Sequence, residues 1–381
     1  MKKQLLAGTA IAAASVLIAG GAAAQDKKMM KPSISVNGYY TAHLSGVVDD
    51  DINSGQVLNP PAVDLRSDSE VHFNGSAKLD NGLSIKVRWE LEGNSHTSAG
   101  KPSPANGNDQ IDEVYITVSG SFGSVIVGST DNAAVKMLTR MTGAWATNVG
   151  QNFHFNSQEW VRSAVGTGGG RFHVLHDARI REHGGGGDSE KVSYLSPKFS
   201  GFQIGASYTP YADQDFHVNH DVDAGRHDGF TGAVSYSGKF DGVGLSLGAG
   251  VNAMQGADGQ EDLNEWVVAG SFDFGGGFRV AAAHQRTTSG ISTDPSAIDL
   301  EGYVTEGGVR YTQGANAFSL VGSYGEFANT DDMYSAVKAS YRRTLGPGVF
   351  LDANLWMNRS ENAAGAENSG TAFSTGITVL F

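Results

Sequence analysis

Apolar and polar residues alternate along most of the chain from Ser33 onward. In residues 83–92, LSIKVRWELE, every odd-numbered residue is apolar and every even-numbered residue is polar or charged. A period of two residues predicts β-strands that have one apolar and one polar face. Ten residues are also enough for a tilted strand to cross a membrane. The pattern therefore predicts an all-β protein.

Runs with this alternation predict sixteen strands, an even number. The first eight lie near residues 33–44, 68–79, 83–93, 111–120, 122–130, 190–198, 201–210 and 229–238. The other eight lie near residues 243–252, 264–274, 277–287, 302–312, 317–326, 333–344, 349–359 and 371–381.

The connections between these strands alternate between short and long. Seven are short and carry the Gly, Asn, Asp, Ser or Pro residues of tight hairpins, as in residues 80–82. Eight are long, and the longest runs over residues 131–189. This order predicts both termini at the short-turn end. Short turns at one end and long loops at the other are typical of transmembrane antiparallel β-barrels of the outer membrane, where the short turns are periplasmic.

A soluble β-sandwich or a propeller is the alternative fold. A sandwich strand turns its apolar face to a core, whereas a spanning barrel turns it to lipid and its polar face to the interior. Lys86, Arg88, Glu90 and Glu92 share one strand face, which suits water better than a packed core. Aromatic residues near strand ends are candidates for an interfacial girdle. These are Tyr208, Tyr236, Tyr311, Tyr324 and Trp356.

Composition narrows the classes of protein. The 52 Gly among 381 residues are about twice the usual share, as many turns and small strand residues require. Because the chain has no Cys, disulfides, thiolate metal sites and cysteine nucleophiles are excluded. The hydrophobic content of 40% and the mean hydropathy of −0.24 do not fit a helical membrane protein, but alternation would hide a barrel in such averages.

Residues 1–24 have the features of a cleaved secretory signal peptide. Two Lys precede an apolar stretch, and three Ala follow it at positions 22–24. The apolar stretch is short compared with the ~20 residues of a spanning helix. Removal of this segment leaves residues 25–381, and because it takes away two Lys and no acid, the formal charge changes from −13 to −15. Such acidity argues against nucleic acid as a partner.

Three segments resemble the general porins of Gram-negative proteobacteria, which are trimeric barrels of sixteen strands. Residues 70–92, EVHFNGSAKLDNGLSIKVRWELE, resemble the second and third strands of that family and their LDNGL turn. Residues 112–128, DEVYITVSGSFGSVIVG, resemble the next hairpin, and residues 192–208, VSYLSPKFSGFQIGASY, resemble the stretch after the constriction loop. The chain ends in Phe381, as these barrels do for recognition by the barrel assembly machinery.

The resemblance implies passive diffusion of small hydrophilic solutes and ions through each pore of a homotrimer in outer-membrane lipid. It also implies that residues 131–189, between strands 5 and 6, fold inward as a constriction loop. This loop is longer than is usual for the family and lacks the Pro-Glu-Phe-Gly-Gly motif of its enteric members. The acids that would form its constriction are therefore not identified by the motif.

A sixteen-stranded barrel is too wide to select solutes unaided, so charges on the wall and the loop should do so. The alternation turns Lys78, Lys86 and Arg88 away from lipid, and these are the preferred basic residues of the constriction, although a solvated face paired with Glu70, Glu90 and Glu113 would show the same pattern. The loop candidates are Glu159, Arg162, Asp177 and Glu182. Four more basic residues are predicted to face inward: Arg279, Arg310, Lys338 and Arg342.

The remaining long loops are acidic, as in residues 49–51 and 213–228. We therefore expect an acidic mouth above an arginine-bearing constriction, and a weak cation preference set by the mouth. Arginines at 140, 162, 171, 179 and 181 keep open a substrate-selective channel, for phosphate or oligosaccharides. A structural or adhesive outer-membrane protein is a further alternative.

No cofactor is expected, although two loop clusters could bind a divalent cation. His173 with His176 is one, and the other is His217 and His220 with Asp221 and Asp223. The acids at 49–51 could hold Ca²⁺ between loops. Exposed loop residues of these kinds are usually unliganded, so both readings are secondary.

An enzyme is not expected. Residues 244–248, GLSLG, match the Gly-x-Ser-x-Gly motif, but they lie inside an alternating strand, and the hydrolase motif requires a strand, a strained turn and a helix. A membrane-embedded hydrolase would instead need a Ser/His pair at the lipid-facing rim. His43 and His284 are the nearest strand candidates, and the sequence gives neither an obvious partner.

Overall fold

The computed structural model describes residues 32–49, 63–93, 111–150, 178–180, 187–212, 225–289, 301–328, 332–361, 365 and 367–381. The strands are β1 Ser33–Asp49, β2 Val63–Lys78, β3 Ser84–Glu92, β4 Ile111–Gly120, β5 Gly123–Ser129, β6 Glu190–Leu195, β7 Phe202–Tyr211, β8 His227–Phe240, β9 Val243–Gln255, β10 Leu263–Asp273, β11 Phe278–Ser289, β12 Gly302–Gln313, β13 Asn316–Phe327, β14 Met333–Gly346, β15 Val349–Glu361 and β16 Glu367–Leu380.

The strands form one closed antiparallel barrel in which each strand pairs with its neighbours in sequence and β1 pairs with β16. Closure brings the two ends of the described chain together. The backbone N–H of Gly38 donates to the carbonyl of Phe381 at 2.9 Å, and the N–H of Phe381 donates to the carbonyl of Gly38 at 3.1 Å. Closure leaves no unpaired sheet edge. Backbone N–H and C=O groups at such an edge would have no hydrogen-bond partners in lipid. The predicted class, a sixteen-stranded transmembrane barrel, is confirmed.

Tight turns join the strands at the end where the termini meet. In the turn between β10 and β11, Gly275, Gly276 and Gly277 have φ values of +76°, +59° and +88°. Residues with a Cβ rarely adopt this region, so the turn requires glycine. All seven short connections lie at this end, which is called the short-turn end below, and the opposite end is called the loop end.

Two short helices follow β5. They are α1, Ala133–Leu138, and α2, Gly143–Thr147, with a 3₁₀ turn at Thr139–Met141 between them. The Asn132 side chain caps α1 by accepting a hydrogen bond from the Val135 N–H at 3.0 Å. Among the described residues, no helix is long and apolar enough to cross a membrane.

Candidate functional site

The two faces of each strand differ in character. On β15, Leu355 and Met357 are 44% and 52% exposed, whereas Trp356 between them is fully buried, and so is Asp352, which has the same phase as Trp356. The outward face is therefore apolar and the inward face polar, as a barrel in lipid requires. The same alternation along the other strands places the predicted basic residues on the inward face of the wall. They are Lys78, Lys86, Arg88, Arg279, Arg310, Lys338 and Arg342.

Two expectations about strand faces are wrong. Trp356 is not part of an outer aromatic girdle, because it has no exposed surface and its ring lies 4.8 Å from Lys338 Nζ inside the barrel. His43 does not lie on the lipid-facing side, because it is 1% exposed and its Nδ1 lies 3.3 Å from Ser374 Oγ. The phase of the flanking residues decides the face, and the residue type alone does not.

Arg88 lies in a network on the inner wall of β1 to β3. Its Nη2 lies 3.0 Å from His72 Nδ1, and its Nε forms an ion pair with Glu90. Because arginine can only donate, Nδ1 of His72 must accept, and the ring proton therefore lies on Nε2. That nitrogen donates to Glu70 at 2.7 Å. The charge of Arg88 is thus compensated on the wall, whereas Lys78 and Lys86 are exposed to the barrel interior.

Tyr39 extends the same network towards the loop end. Its hydroxyl donates to Glu70 at 2.8 Å and lies 3.2 Å from Asp68. Glu70, Glu92 and Asp112 place carboxylate oxygens within 4.8 Å of one another near that end. Acids therefore dominate this part of the inner wall.

The segment 131–150, called the inner segment below, lies against the inner wall. A Cβ added at Gly248 on β9 would meet Leu138 of α1, and one added at Gly308 on β12 would meet Thr147 of α2. Further along, the Val149 N–H donates to Ser319 Oγ on β13 at 3.2 Å. The segment thus follows the wall from β7 to β15. Glycines in the wall leave the space that its side chains fill.

The inner segment is only part of the predicted constriction loop 131–189. Most of the remainder lies outside the described residues, and so do all four predicted loop candidates: Glu159, Arg162, Asp177 and Glu182. The extent of this loop within the barrel stays a prediction, and so do the constriction roles of all the candidate residues.

Lys191 on β6 holds the two ends of the loop together. Its Nζ donates to the carbonyl oxygens of Thr130 at 2.5 Å, Gly187 at 2.9 Å and Ser189 at 2.7 Å. An ammonium group has three protons, and these contacts can use all of them. Thr130 precedes the loop and Ser189 ends it, so one buried side chain joins its entry to its exit. The strand pattern gave no indication of the contact with Thr130, because that residue lies 61 positions away in the sequence.

Three carboxylates surround the same neck. Glu113, Asp131 and Asp188 have oxygens within 4.8 Å of one another. Burial raises the pKa of Asp188 to about 7, and the charges of Asp131 and Glu113 add to this, against Lys191 and Arg179. Burial also raises the pKa of Asp131, with Arg179 opposing. The neck therefore favours a partly protonated acid cluster.

A second charged cluster lies on the inner wall of β14 and β15. Arg342 binds Asp352 through two hydrogen bonds of 2.6 Å and 2.7 Å, and Asp352 also accepts from Thr378 Oγ1 at 3.0 Å. Bidentate pairs of this kind are strong and fix geometry. Arg342 is thus held as part of the wall.

Clusters of acidic residues could bind a cation, but in one of them a neighbouring arginine already contacts the candidate ligands. Glu70, His72 and Glu90 meet the distance requirement of a metal site, yet Arg88 already contacts two of them. The predicted clusters at 173–176, 217–223 and 50–51 lie outside the described residues. Metal binding there stays a prediction, and so does the expected absence of a cofactor.

The residues considered for a hydrolase do not lie in the structural positions that hydrolysis would require. Ser246 lies within β9, with its Oγ 3.3 Å from Ser237 Oγ on β8, and not at a strand-to-helix turn. His284 lies on the outward face, where Nδ1 is 2.7 Å from Thr305 Oγ1 and the ring lies 5.2 Å from that of Trp266. These are contacts between neighbouring strands.

Several solved structures have a similar fold. The anion-selective porin from Comamonas acidovorans aligns with 92% of this chain and 100% of its own, with 18% identity and a TM-score of 0.61. A double mutant of Rh. blastica porin aligns over the same shares with 15% identity and a TM-score of 0.56. A loop-deletion mutant of OmpT, an outer membrane protein of Vibrio cholerae, gives 12% identity over 92% and 99% and a TM-score of 0.55.

At these identities the likeness concerns the fold. No curated protein matches this sequence. A family model described as Gram-negative porin matches residues 7–363. This match covers nearly the whole length, and the chain therefore belongs to the Gram-negative porin family.

Proposed function

We propose that the protein is a water-filled outer-membrane channel in which charged groups of the interior set the selectivity of passive diffusion. One observation carries this proposal: a closed sixteen-stranded barrel of the porin family has a polar inner wall against which the inner segment lies. Small hydrophilic solutes and ions diffuse through such a barrel without an energy source. The fold and the family indicate a channel and not an enzyme.

The finer proposal concerns the sign of the selectivity. The loop end is acidic, with Glu70, Glu92 and Asp112 grouped on the inner wall, and the charge of Arg88 is offset by Glu90. Rings of one sign concentrate counter-ions and sort ions by charge. We therefore expect a weak preference for cations, set at the loop end.

Reversal of the charge at Arg88 tests this proposal. Arg88→Glu places a third acid beside Glu70 and Glu90, so the reversal potential in a KCl gradient should move towards that of K⁺. Planar bilayers with the purified protein give this measurement. Arg343→Glu is the matched control, because Arg343 is exposed on the outer face of β14.

Two results would contradict the proposal. An unchanged reversal potential in Arg88→Glu would remove Arg88 from the selective part of the pore. A clear anion preference of the unmodified channel would overturn the expected sign. An anion-selective channel is the second candidate, and the inward-facing Arg310, which forms no ion pair with any described residue, favours it.

A homotrimer is also proposed, on the resemblance to general porins, and so are both termini in the periplasm and assembly through the terminal Phe381. The outer location itself follows from the family. Crosslinking in the native membrane would test the trimer, and a single unshifted band would contradict it.

A further inference from the structure

We infer that the short-turn end of the lumen holds a binding groove for small multivalent oxyanions, lined by Lys239, Arg279 and three serines and flanked by Arg310 on the next strand. The groove lies on the inner wall of β8 to β12, away from Arg88 and from the neck of the loop. Entry of a solute into the groove depends on the proposed channel function, whereas binding depends only on the residues that line and flank the groove.

The groove is a cavity of about 330 Å³ in the wall between β8 and β11. That volume lies within the range of small-molecule sites and exceeds what one bare inorganic ion needs. Its polar lining is given by Lys239, Asp273 and Arg279 together with three serines. These are Ser237, Ser246 and Ser271. Hydroxyl groups can donate to an anion without adding charge.

Glycines shape the floor of the cavity. Gly238, Gly242, Gly244 and Gly275 line it. A Cβ added at Gly242 or Gly275 would meet no atom within 4 Å, so the backbone is open to a ligand at these two positions. A cavity that combines bare backbone, hydroxyl groups and cationic side chains suits a polar anion. An apolar ligand would find few side chains to contact there.

The cationic groups outnumber the acids. Asp273 is the one acid of the lining, and it is already held by Arg279 Nη2 at 3.0 Å and by the Gly275 N–H at 3.2 Å. Arg310 lies directly opposite Arg279 in the β11–β12 pair. Asp241 in the adjoining β8–β9 turn is exposed and does not line the cavity.

Two of the cations are available for a ligand. Within the described part of the chain, Arg310 forms no ion pair, and its buried Nε has no hydrogen-bond partner. Lys239 is exposed on the inward face and likewise forms no ion pair with any described residue. Arg279 and Arg310 lie opposite each other on neighbouring strands, so their charges repel unless an anion lies between them, and guanidinium groups match the geometry of oxyanions.

A multivalent oxyanion fits this arrangement best. Phosphate and short dicarboxylates share the chemistry, since each offers several charged oxygens to the Arg pair, the Lys and the hydroxyl groups. Because the loop end is acidic, an anion that enters from the short-turn end meets this groove before the inner segment. The groove would retain such solutes briefly at that entrance.

Binding calorimetry with the full chain in detergent tests the inference without relying on conduction. The titrants are inorganic phosphate and succinate, in separate experiments. The test variant is Lys239→Gln with Arg310→Gln, which leaves the pair of Arg279 and Asp273 intact. We expect the affinity for the bound anion to fall about tenfold or more, because charge-assisted hydrogen bonds are lost.

The control variant is Lys198→Gln with Arg343→Gln. It removes the same two charges near the same end, but Lys198 is exposed in the β6–β7 turn and Arg343 lies on the outer face. Heat-modifiable migration in gels checks that each variant folds. The titrant that binds identifies the source of the anion as inorganic or organic.

Unchanged binding in the test variant, equal losses in both variants, or no binding of either anion by the unmodified protein would overturn the inference. Single-channel recording of the same preparation separates this from failure of the proposed function. A preparation that conducts but binds neither anion contradicts the groove alone, and one that binds but does not conduct contradicts the channel alone.

Discussion

Lys191 shows at the scale of single residues how the polar interior is organised. The ammonium group donates to three backbone carbonyls at the neck of the loop, and Arg88, His72 and Glu70 form a chain of donors and acceptors nearby. Buried polar groups are costly without partners, and these contacts provide them. Charged side chains of the wall are therefore of two kinds, those locked into the wall and those free to face solutes.

Replacement of Lys191 by Met should destabilise the barrel. Lys191→Met keeps the length of the side chain but leaves three carbonyls without their donor, so we expect a loss of about 2–4 kcal/mol. Thermal unfolding followed by circular dichroism measures it. Lys198→Met, in the exposed β6–β7 turn, is the control. Equal melting temperatures for Lys191→Met and the unmodified protein would show that Lys191 does not hold the neck.

The neck should also respond to pH through Asp188. Its pKa is raised from 3.8 to about 7 by burial and by Asp131 and Glu113, against Lys191 and Arg179. The folded protein therefore binds an extra proton between about pH 4 and pH 7, and the contribution of Asp188 to stability falls as pH rises through that interval.

Asp188→Asn cannot titrate, so its melting temperature should fall less between pH 5 and pH 8 than that of the unmodified protein. Asp258→Asn, at an exposed position between β9 and β10, should leave the slope unchanged. Identical slopes for Asp188→Asn and the unmodified protein would mean that the acid is already ionised at pH 5.

At the scale of elements, the alternation predicts the strands well where one face meets lipid. It fails at the loop end of β2, which begins at Val63 and not near 68, and of β16, which begins at Glu367 and not near 371. Residues 67–69 and 367–369 are polar on both faces. Beyond the apolar band both faces meet water, so the hydrogen-bond ladder continues while the alternation ends.

The candidate site could be predicted only in part, for a different reason. The phase of each strand places Lys86 and Arg88 inside the barrel. Whether such a residue is locked or free depends on partners far away in sequence, such as Thr130 for Lys191. Contacts of this kind require the register of the whole barrel, which local patterns do not contain.

The packing of α1 against β9 gives a prediction at this scale. A Cβ at Gly248 would collide with Leu138 and approach Met141, so Gly248→Leu should displace α1 and destabilise the protein by about 1–3 kcal/mol. Gly322→Leu is the control, because the nearest atom to its Cβ would be Ala336 O at 3.7 Å. Thermal unfolding compares the two, and equal stability would show that α1 does not pack there.

At the scale of the whole molecule, positive and negative charges are distributed unevenly along the barrel axis. Acids gather at the loop end around Glu70, Glu92 and Asp112, and bases gather at the short-turn end. The basic set consists of Lys78, Lys86, Lys239, Arg279 and Arg310. Solutes of either sign therefore meet one attractive and one repulsive entrance, which accounts for a weak overall preference and predicts different currents at opposite voltages.

Single-channel recording of the purified protein in planar bilayers tests the central claim most directly. A passive, water-filled channel predicts stable conductance steps that increase with KCl concentration, and a trimer predicts that they close in groups of three. The absence of conductance from protein that migrates as a folded barrel would contradict the channel itself.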